Sequence, residues 1–223
     1  MVASRNEKTA LSNQIKTIGF MTVRSLQPGT TKLSGRIESP NRFESPISGR
    51  ACAFYEIRVE TSRSIGIEKT LVQRDVSGDG ALLFRDGTGS VLVDTANMTF
   101  FYDKTEVIEA SKATLVGDRI KKYVESQAGL KDLSPTKVFY LSEGCLQNND
   151  LLYVFGTAEL IPGTARQMKV TAQKGLGVVA NLPEREILTR LDALGKRQGT
   201  LAVFFFGIIV VTLSAVLILY RPK

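Results

Sequence analysis

Residues Lys69 to Asp94 read KTLVQRDVSGDGALLFRDGTGSVLVD. Two glycine-rich tetrads, Ser77-Gly78-Asp79-Gly80 and Asp86-Gly87-Thr88-Gly89, separate three apolar runs: Lys69 to Val76, Ala81 to Arg85 and Ser90 to Asp94. Glycine enters left-handed backbone without a steric penalty, so such tetrads are tight-turn sequences. The apolar runs are rich in valine and leucine and have strand length. This stretch predicts three strands joined by two tight turns.

The same pattern continues outward. Ala51 to Glu60 (ACAFYEIRVE) alternates, with Cys52, Phe54 and Glu56 on one face and Ala53, Tyr55, Ile57 and Val59 on the other. The second set is the more apolar and is expected to face the core. Lys32 to Glu38 is a short alternating run between Pro28-Gly29 and Ser39-Pro40-Asn41. Further strands are predicted over Thr136 to Leu141, Leu151 to Leu160 and Arg166 to Thr171. That spacing predicts a mainly β chain with a few helices (α+β), built as a small barrel or sandwich. One helix is expected over Asp118 to Gln127, burying Ile120, Tyr123 and Val124. A second runs from Pro183 to Leu194 with a stripe of Ile187, Leu188, Leu191 and Leu194. Asn181 suits its N-cap, Glu184 the matching box position, and Gly195 its end. Met1 to Gln27 is a polar lead-in whose Leu11, Ile15 and Ile18 fit either a short helix or a frayed arm.

Of the 223 residues, 43% are hydrophobic and 23% charged, with a net charge of +7. Such a chain has the apolar surface to fold, which excludes wholesale disorder. The basic balance is spread rather than blocked, as on a solvated surface. Histidine is absent, which removes the usual neutral-pH base and the commonest metal ligand. Cys52 and Cys145 cannot supply the four ligands of a structural zinc site. They are expected to be two buried thiols, with a disulfide between them left open.

Leu201 to Leu219 (LAVFFFGIIVVTLSAVLIL) carries no charge over 19 residues. At about 1.5 Å per residue it reaches about 28 Å, close to the roughly 30 Å hydrocarbon core of a bilayer. One C-terminal transmembrane helix is therefore expected. Lys196 and Arg197 precede it, and Tyr220, Arg221 and Lys223 follow as headgroup-layer residues. With Arg185 and Arg190 added, the positive excess on the domain side predicts a cytoplasmic domain on a single-pass, tail-anchored chain. If the cell is eukaryotic, an organellar membrane such as the mitochondrial one fits. Thr17 to Val23 is too short and polar for a secretory signal; the basic lead-in (Arg5, Lys8, Lys16, Arg24 against Glu7) leaves a transit peptide as an alternative. The expected division is 1–29 lead-in, 30–195 barrel domain with its closing helix, and 196–223 link, membrane helix and tail.

Four segments resemble one known family. Ser45-Pro46-Ile47-Ser48-Gly49-Arg50-Ala51-Cys52-Ala53-Phe54-Tyr55 is similar to the SP-x-S/T-G-K-x-C-x-x-Y signature of the GIDE domain. Phe84 to Val93, with Asp86 and Gly89, resembles its F-x-D-x-T-G-x-V-x-V element. Glu143, then Asp150 to Ala158 with Gly156, resembles its E-x-x-L-x-x-G-D-x-V-Y-V-x-G-x-A element, and Val178 to Leu191 its closing segment. The likeness spans Lys32 to Leu191. It implies an OB-like domain lying beside a membrane, as in mitochondrial and chloroplast ubiquitin ligases and prokaryotic membrane proteins. The ligases' RING has no counterpart here, so ligase activity is not implied. The hydrophobic helix that many members carry before the domain is not visible, and Asn149 replaces the glycine before Asp150.

No catalytic pattern emerges. The Asp86 loop lacks the glycine spacing and following helix of a phosphate site, and Asp75, Asp79 and Asp86 lack EF-hand spacing. Ser45 and Ser48 have no nucleophile elbow and no histidine partner. Among Glu56, Glu60 and Glu143, a carboxylate pair is weighed against Glu143 accepting backbone or hydroxyl hydrogen bonds. Phe54, Tyr55, Phe84, Phe100, Phe101 and Tyr102 could stack on single-stranded nucleic acid, but most sit in apolar strand contexts and are expected in the core. The expectation is a non-catalytic, membrane-anchored interaction or scaffold protein needing no cofactor or metal, with the bilayer and a membrane protein as partners. It would serve as an accessory subunit of a membrane complex. A regulatory component of a ubiquitin-like or stress-response pathway is the alternative, and single-strand binding the third reading.

Overall fold

The computed structural model describes residues 5–39, 42–62, 69–78, 80–111, 114–127, 130, 134, 137–164, 166–173 and 176–194. In chain order the strands are β1 (Gly29–Ile37), β2 (Phe43–Glu44), β3 (Ala51–Cys52), β4 (Phe54–Ser62), β5 (Lys69–Val76), β6 (Ala81–Asp86) and β7 (Gly89–Asp94). They continue as β8 (Met98–Phe101), β9 (Thr105–Ala110), β10 (Phe139–Leu146), β11 (Leu151–Leu160), β12 (Met168–Thr171) and β13 (Gly177–Ala180). Helices are α1 (Arg5–Thr17), a 3-10 turn (Val23–Ser25), α2 (Asp118–Ser126) and α3, over 184–194.

Five strands close a barrel in the order β1-β6-β7-β12-β11 and back to β1. The seam is the long antiparallel pairing of β1 with β11, from Gly29 opposite Ala158 to Arg36 opposite Leu151. β6 and β7 form the hairpin read from residues 81–94, and β12 joins β7 in parallel. Closure removes exposed sheet edges from this part of the chain. Leu33, Ile37, Leu82, Phe84, Val91, Val93, Leu152, Val154 and Val170 fill its interior. β11 also pairs with β13, and β13 with β8, so the sheet runs on beyond the barrel.

A second sheet, β5-β4-β10-β9, is antiparallel throughout. α2 covers one face of it: Tyr123 and Val124 pack with Ile47, Ile57, Val59, Phe139 and Leu141. A third apolar cluster lies where α1 and α3 cover the β8-β13-β11 extension, joining Leu11, Ile15, Phe101, Tyr153, Phe155, Val178, Ile187 and Leu191. Ser12 Oγ donates to Asp192 at 3.0 Å across the two helices. The lead-in is therefore helical and docked over 5–17, the first of the two sequence readings.

Several expectations change. The strand expected over Ala51 to Glu60 bends at Ala53 and splits into β3 and β4. Its two faces both reach a core. Ile57 and Val59 join the α2 cluster, whereas Phe54 enters the barrel cluster and stacks on Phe100 with ring centroids 5.1 Å apart. The strand expected over Thr136 to Leu141 begins later and extends to Leu146. Asn181 does not cap α3: its Oδ1 accepts the Asp103 N–H at 2.8 Å. Glu184 turns instead to Lys32, 3.0 Å away, as an ion pair rather than an aligned hydrogen bond. The membrane segment 201–219, its flanks Lys196, Arg197, Tyr220, Arg221 and Lys223, and Gly195, Asp79 and Pro40-Asn41 lie outside the described residues. Among the described residues no helix is long and apolar enough to cross a membrane.

Candidate functional site

Ser45, Pro46, Gly49, Cys52, Tyr55 and Glu143 come together where the β2–β3 hairpin meets β10. Residues 46–48 form its turn, with Gly49 N–H bonded to Ser45 O at 3.0 Å and Ser45 N–H to Arg50 O at 2.9 Å. Gly49 has φ +72, a left-handed conformation that disfavours any side chain, and Arg119 of α2 lies against it.

Glu143 reaches this turn from the middle of β10 and is only 4% exposed. One carboxylate oxygen accepts the Ser45 hydroxyl and the Ile47 N–H, the latter at 3.2 Å. The other accepts the Ser48 N–H at 3.2 Å. A buried carboxylate is costly unless its lone pairs are occupied, and here the turn supplies the donors. The rim is charged: Arg119 pairs with Glu44, and Arg50 with Glu106 of β9. The hairpin is thereby tied to α2, β9 and β10 at once.

Cys145 was not predicted to belong here. Alternation along β10 puts Phe139, Leu141, Glu143 and Cys145 on one face, so the i, i+2 spacing of Glu143 and Cys145 was the available signal. Cys52 and Cys145 are free thiols close enough to influence each other's ionisation, and the Cys52 thiol donates to Phe43 O at 3.6 Å. The interaction between the two thiols eases loss of the first proton, at Cys145, and makes loss of the second, at Cys52, harder. Tyr55 packs beside them; burial and then the Asp75 carboxylate push its phenol up.

The remaining signature residues lie elsewhere. Asp86 and Gly89 form the β6–β7 turn. Slight burial opposes ionisation of Asp86, but the Thr88 hydroxyl and the N–H groups of Val23, Thr88 and Gly89 outweigh it and hold its carboxyl below the usual range. The Val23 bond, 2.7 Å long, fastens the N-terminal lead-in to the barrel. A folded-state value below the unfolded one stabilises the fold above the unfolded value and loses that contribution as pH falls through the folded one. Asp86→Asn should therefore destabilise the protein by about 1 kcal/mol at neutral pH, from weakened charge-assisted bonds. The gap between the two proteins should narrow in acid, as pH falls below the ordinary aspartate value and through the lower folded one. Thermal unfolding of both across pH 2–7 checks this; a gap unchanged at the acid end removes the charge as its cause.

Asp150 closes the β10–β11 turn by accepting the Gln147 N–H at 2.7 Å. Asn149, with φ +71, takes the left-handed position that glycine would hold. Gly156 sits in β11 where an added Cβ would come 2.5 Å from Thr171 O. Phe54, Phe84, Phe100, Phe101 and Tyr102 are buried and offer no stacking surface for bases. Glu56 pairs with Arg74 at 2.6 Å, and Glu60 lies 3.9 Å from Arg58 on its own strand; neither is set beside Glu143 as a catalytic carboxylate pair. Among the described residues no three Cys, Asp or Glu side chains gather around one point where an ion would sit.

The arrangement is a small closed barrel carrying a hairpin clamped by a buried carboxylate. No family model matches the chain, and searches of curated proteins and of solved structures return no match.

Proposed function

We propose that the chain is a membrane-tethered, non-catalytic interaction module, with an OB-like barrel of the GIDE type held at the headgroup layer. One observation carries the reading. α3 is locked into the domain core through Ile187 and Leu191, and six residues separate its last described residue from the charge-free run 201–219. If that run enters lipid, the barrel is held close to the surface, since six residues reach at most about 20 Å. Lys196 and Arg197 on one side, and Tyr220, Arg221 and Lys223 on the other, suit the two interfaces, with the domain on the cytoplasmic side.

The interaction role is supported by the second sheet. Its outer strands β5 and β9 each have one neighbour among the described residues, and such edges accept an added strand from a partner. Val107 on β9 is 59% exposed, an apolar contact on that edge. The buried carboxylates are occupied by turns and arginines, which supports holding over chemistry.

Two measurements test the proposal. The full chain should stay with vesicles through an alkaline wash, and a chain ending at Leu194 should be released. Release of both would remove the anchor. Crosslinking in intact membranes before mild detergent extraction should give a defined heteromeric species, and a solitary chain throughout would remove the partner.

A further inference from the structure

Cys52 and Cys145 are 93 residues apart in the chain but adjacent in the fold. β10 and β4 are in register with Cys145 opposite Tyr55 and Leu146 opposite Phe54. One step further, Ala53 donates its N–H to Leu146 O at 2.8 Å, and the chain then bends into β3, which carries Cys52. The bend at Ala53 turns Cys52 back toward β10, and its thiol interacts with that of Cys145. Their environments differ. Cys52 is 4% exposed, with Phe43 O 3.6 Å from its sulfur as an acceptor while Cys145 keeps its proton. Cys145 is partly open to solvent; the Cys52 thiol, then Ser45 and the Arg50 guanidinium, favour its thiolate and outweigh burial and the Glu143 carboxylate, which oppose it.

We propose that Cys52 and Cys145 form a reversible redox pair, in which Cys145 attacks an external low-molecular-weight disulfide and Cys52 resolves the adduct into an intramolecular disulfide. Cys145 is the nucleophile because, of the two sulfurs, only the one partly open to solvent can meet an oxidant. Attack of Cys145 on a glutathione disulfide forms a mixed disulfide and expels one glutathione thiolate. Cys52 then gives up its proton and attacks the Cys145 sulfur, expelling the second glutathione. Two protein thiols are oxidised, two protons leave, and one external disulfide becomes two thiols. The new bond ties β3, and with it the 45–49 turn, directly to β10. It therefore duplicates covalently what Glu143 does by hydrogen bonding. Under reducing conditions Glu143 is the hairpin's buried link to β10; under oxidising conditions that link is doubled.

The full-length chain in detergent, reduced and then equilibrated with graded ratios of oxidised to reduced glutathione, tests this without any variant. After alkylation under denaturing conditions, the expected species is a monomer lighter by two hydrogens, with Cys52 and Cys145 peptides crosslinked and released by dithiothreitol. A lasting glutathione adduct on Cys145, a disulfide between two chains, or two free thiols at the most oxidising ratio would each overturn it. A second readout follows from the shared role: oxidation should raise the midpoint of thermal unfolding more in Glu143→Gln than in the parent. An equal rise in both would overturn the link between the pair and the hairpin.

Discussion

Glu143→Ala is expected to destabilise the protein by about 3–4 kcal/mol, the sum of buried donors left without an acceptor. The Ser45 hydroxyl and the Ile47 and Ser48 N–H groups all point at this carboxylate, and Ser45 and Ile47 are buried. Water cannot replace the acceptor without opening the turn. Opening the turn withdraws Ile47 from the α2 cluster, so part of the loss is apolar. Glu143→Gln keeps one carbonyl acceptor and the shape of the side chain, and should cost about half as much because charge-assisted bonds are roughly twice as strong as neutral ones. Glu143→Ala should also raise amide exchange in residues 43–52 before it does so in β6 and β7, which share no contact with the carboxylate. Thermal unfolding and exchange of the three proteins check this. An alanine variant as stable as the parent would show that the hairpin is not held here.

The contrast between Glu143 and the strands around it shows what the sequence could disclose. β6, β7 and β11 were readable because each is flanked by glycine, proline or asparagine turns and is long enough to show a pattern. Asp86-Gly87-Thr88-Gly89 reads as a turn because its interactions are local. β8, β9 and β13 were not readable. β8 and β13 have four residues each, and they pair in parallel across nearly eighty residues of chain. No local pattern encodes a pairing of that separation. The double burial of residues 51–60 was hidden for a related reason: alternation identifies one buried face, but β4 crosses from the barrel to the second sheet and is buried on both. The signature residues around Ser45 and Glu143 could be named in advance, but not brought together. Whether Cys145 meets Cys52 stayed open in the sequence because the two lie on different strands.

Among the described residues three apolar clusters, rather than one core, hold the fold together, and polar links sit where they meet. Glu143 joins the hairpin to the second sheet. Glu56 and Arg74, paired at 2.6 Å, stand beside the barrel, where the Arg74 guanidinium lies 5.7 Å from the centroid of the Phe100 ring. Lys32 joins the lead-in helix, the barrel and α3. Apolar contact is tolerant of sliding, whereas a buried charge has few places to go, so these links fix how the clusters sit on one another.

Lys32 is the most demanding of them. Its side chain is 6% exposed, yet its Nζ lies 3.0 Å from Ile15 O, 3.0 Å from Glu184 Oε2, and 4.6 Å from the centroid of the Phe20 ring. The ammonium thus meets the C-terminal carbonyls of α1, where a cation is favoured, and an acid in the first turn of α3. Lys32→Met preserves length and apolar contact but leaves Glu184 and the Ile15 carbonyl unpaired. Removing one partner of a buried pair costs about 3–5 kcal/mol; Glu184 is 27% exposed, so water recovers some of this and the lower figure is expected. Adding Glu184→Gln to Lys32→Met should return a large part of the loss, because the stranded charge is gone. The position of the damage matters as much as its size. α1 has no strand to hold it, so its amides should lose exchange protection first, while β1 and β11 keep theirs through the barrel seam. If Lys32→Met lowers protection evenly across the barrel, or if the double variant is no better than the single, Lys32 acts as packing and its charge does not fasten the helices.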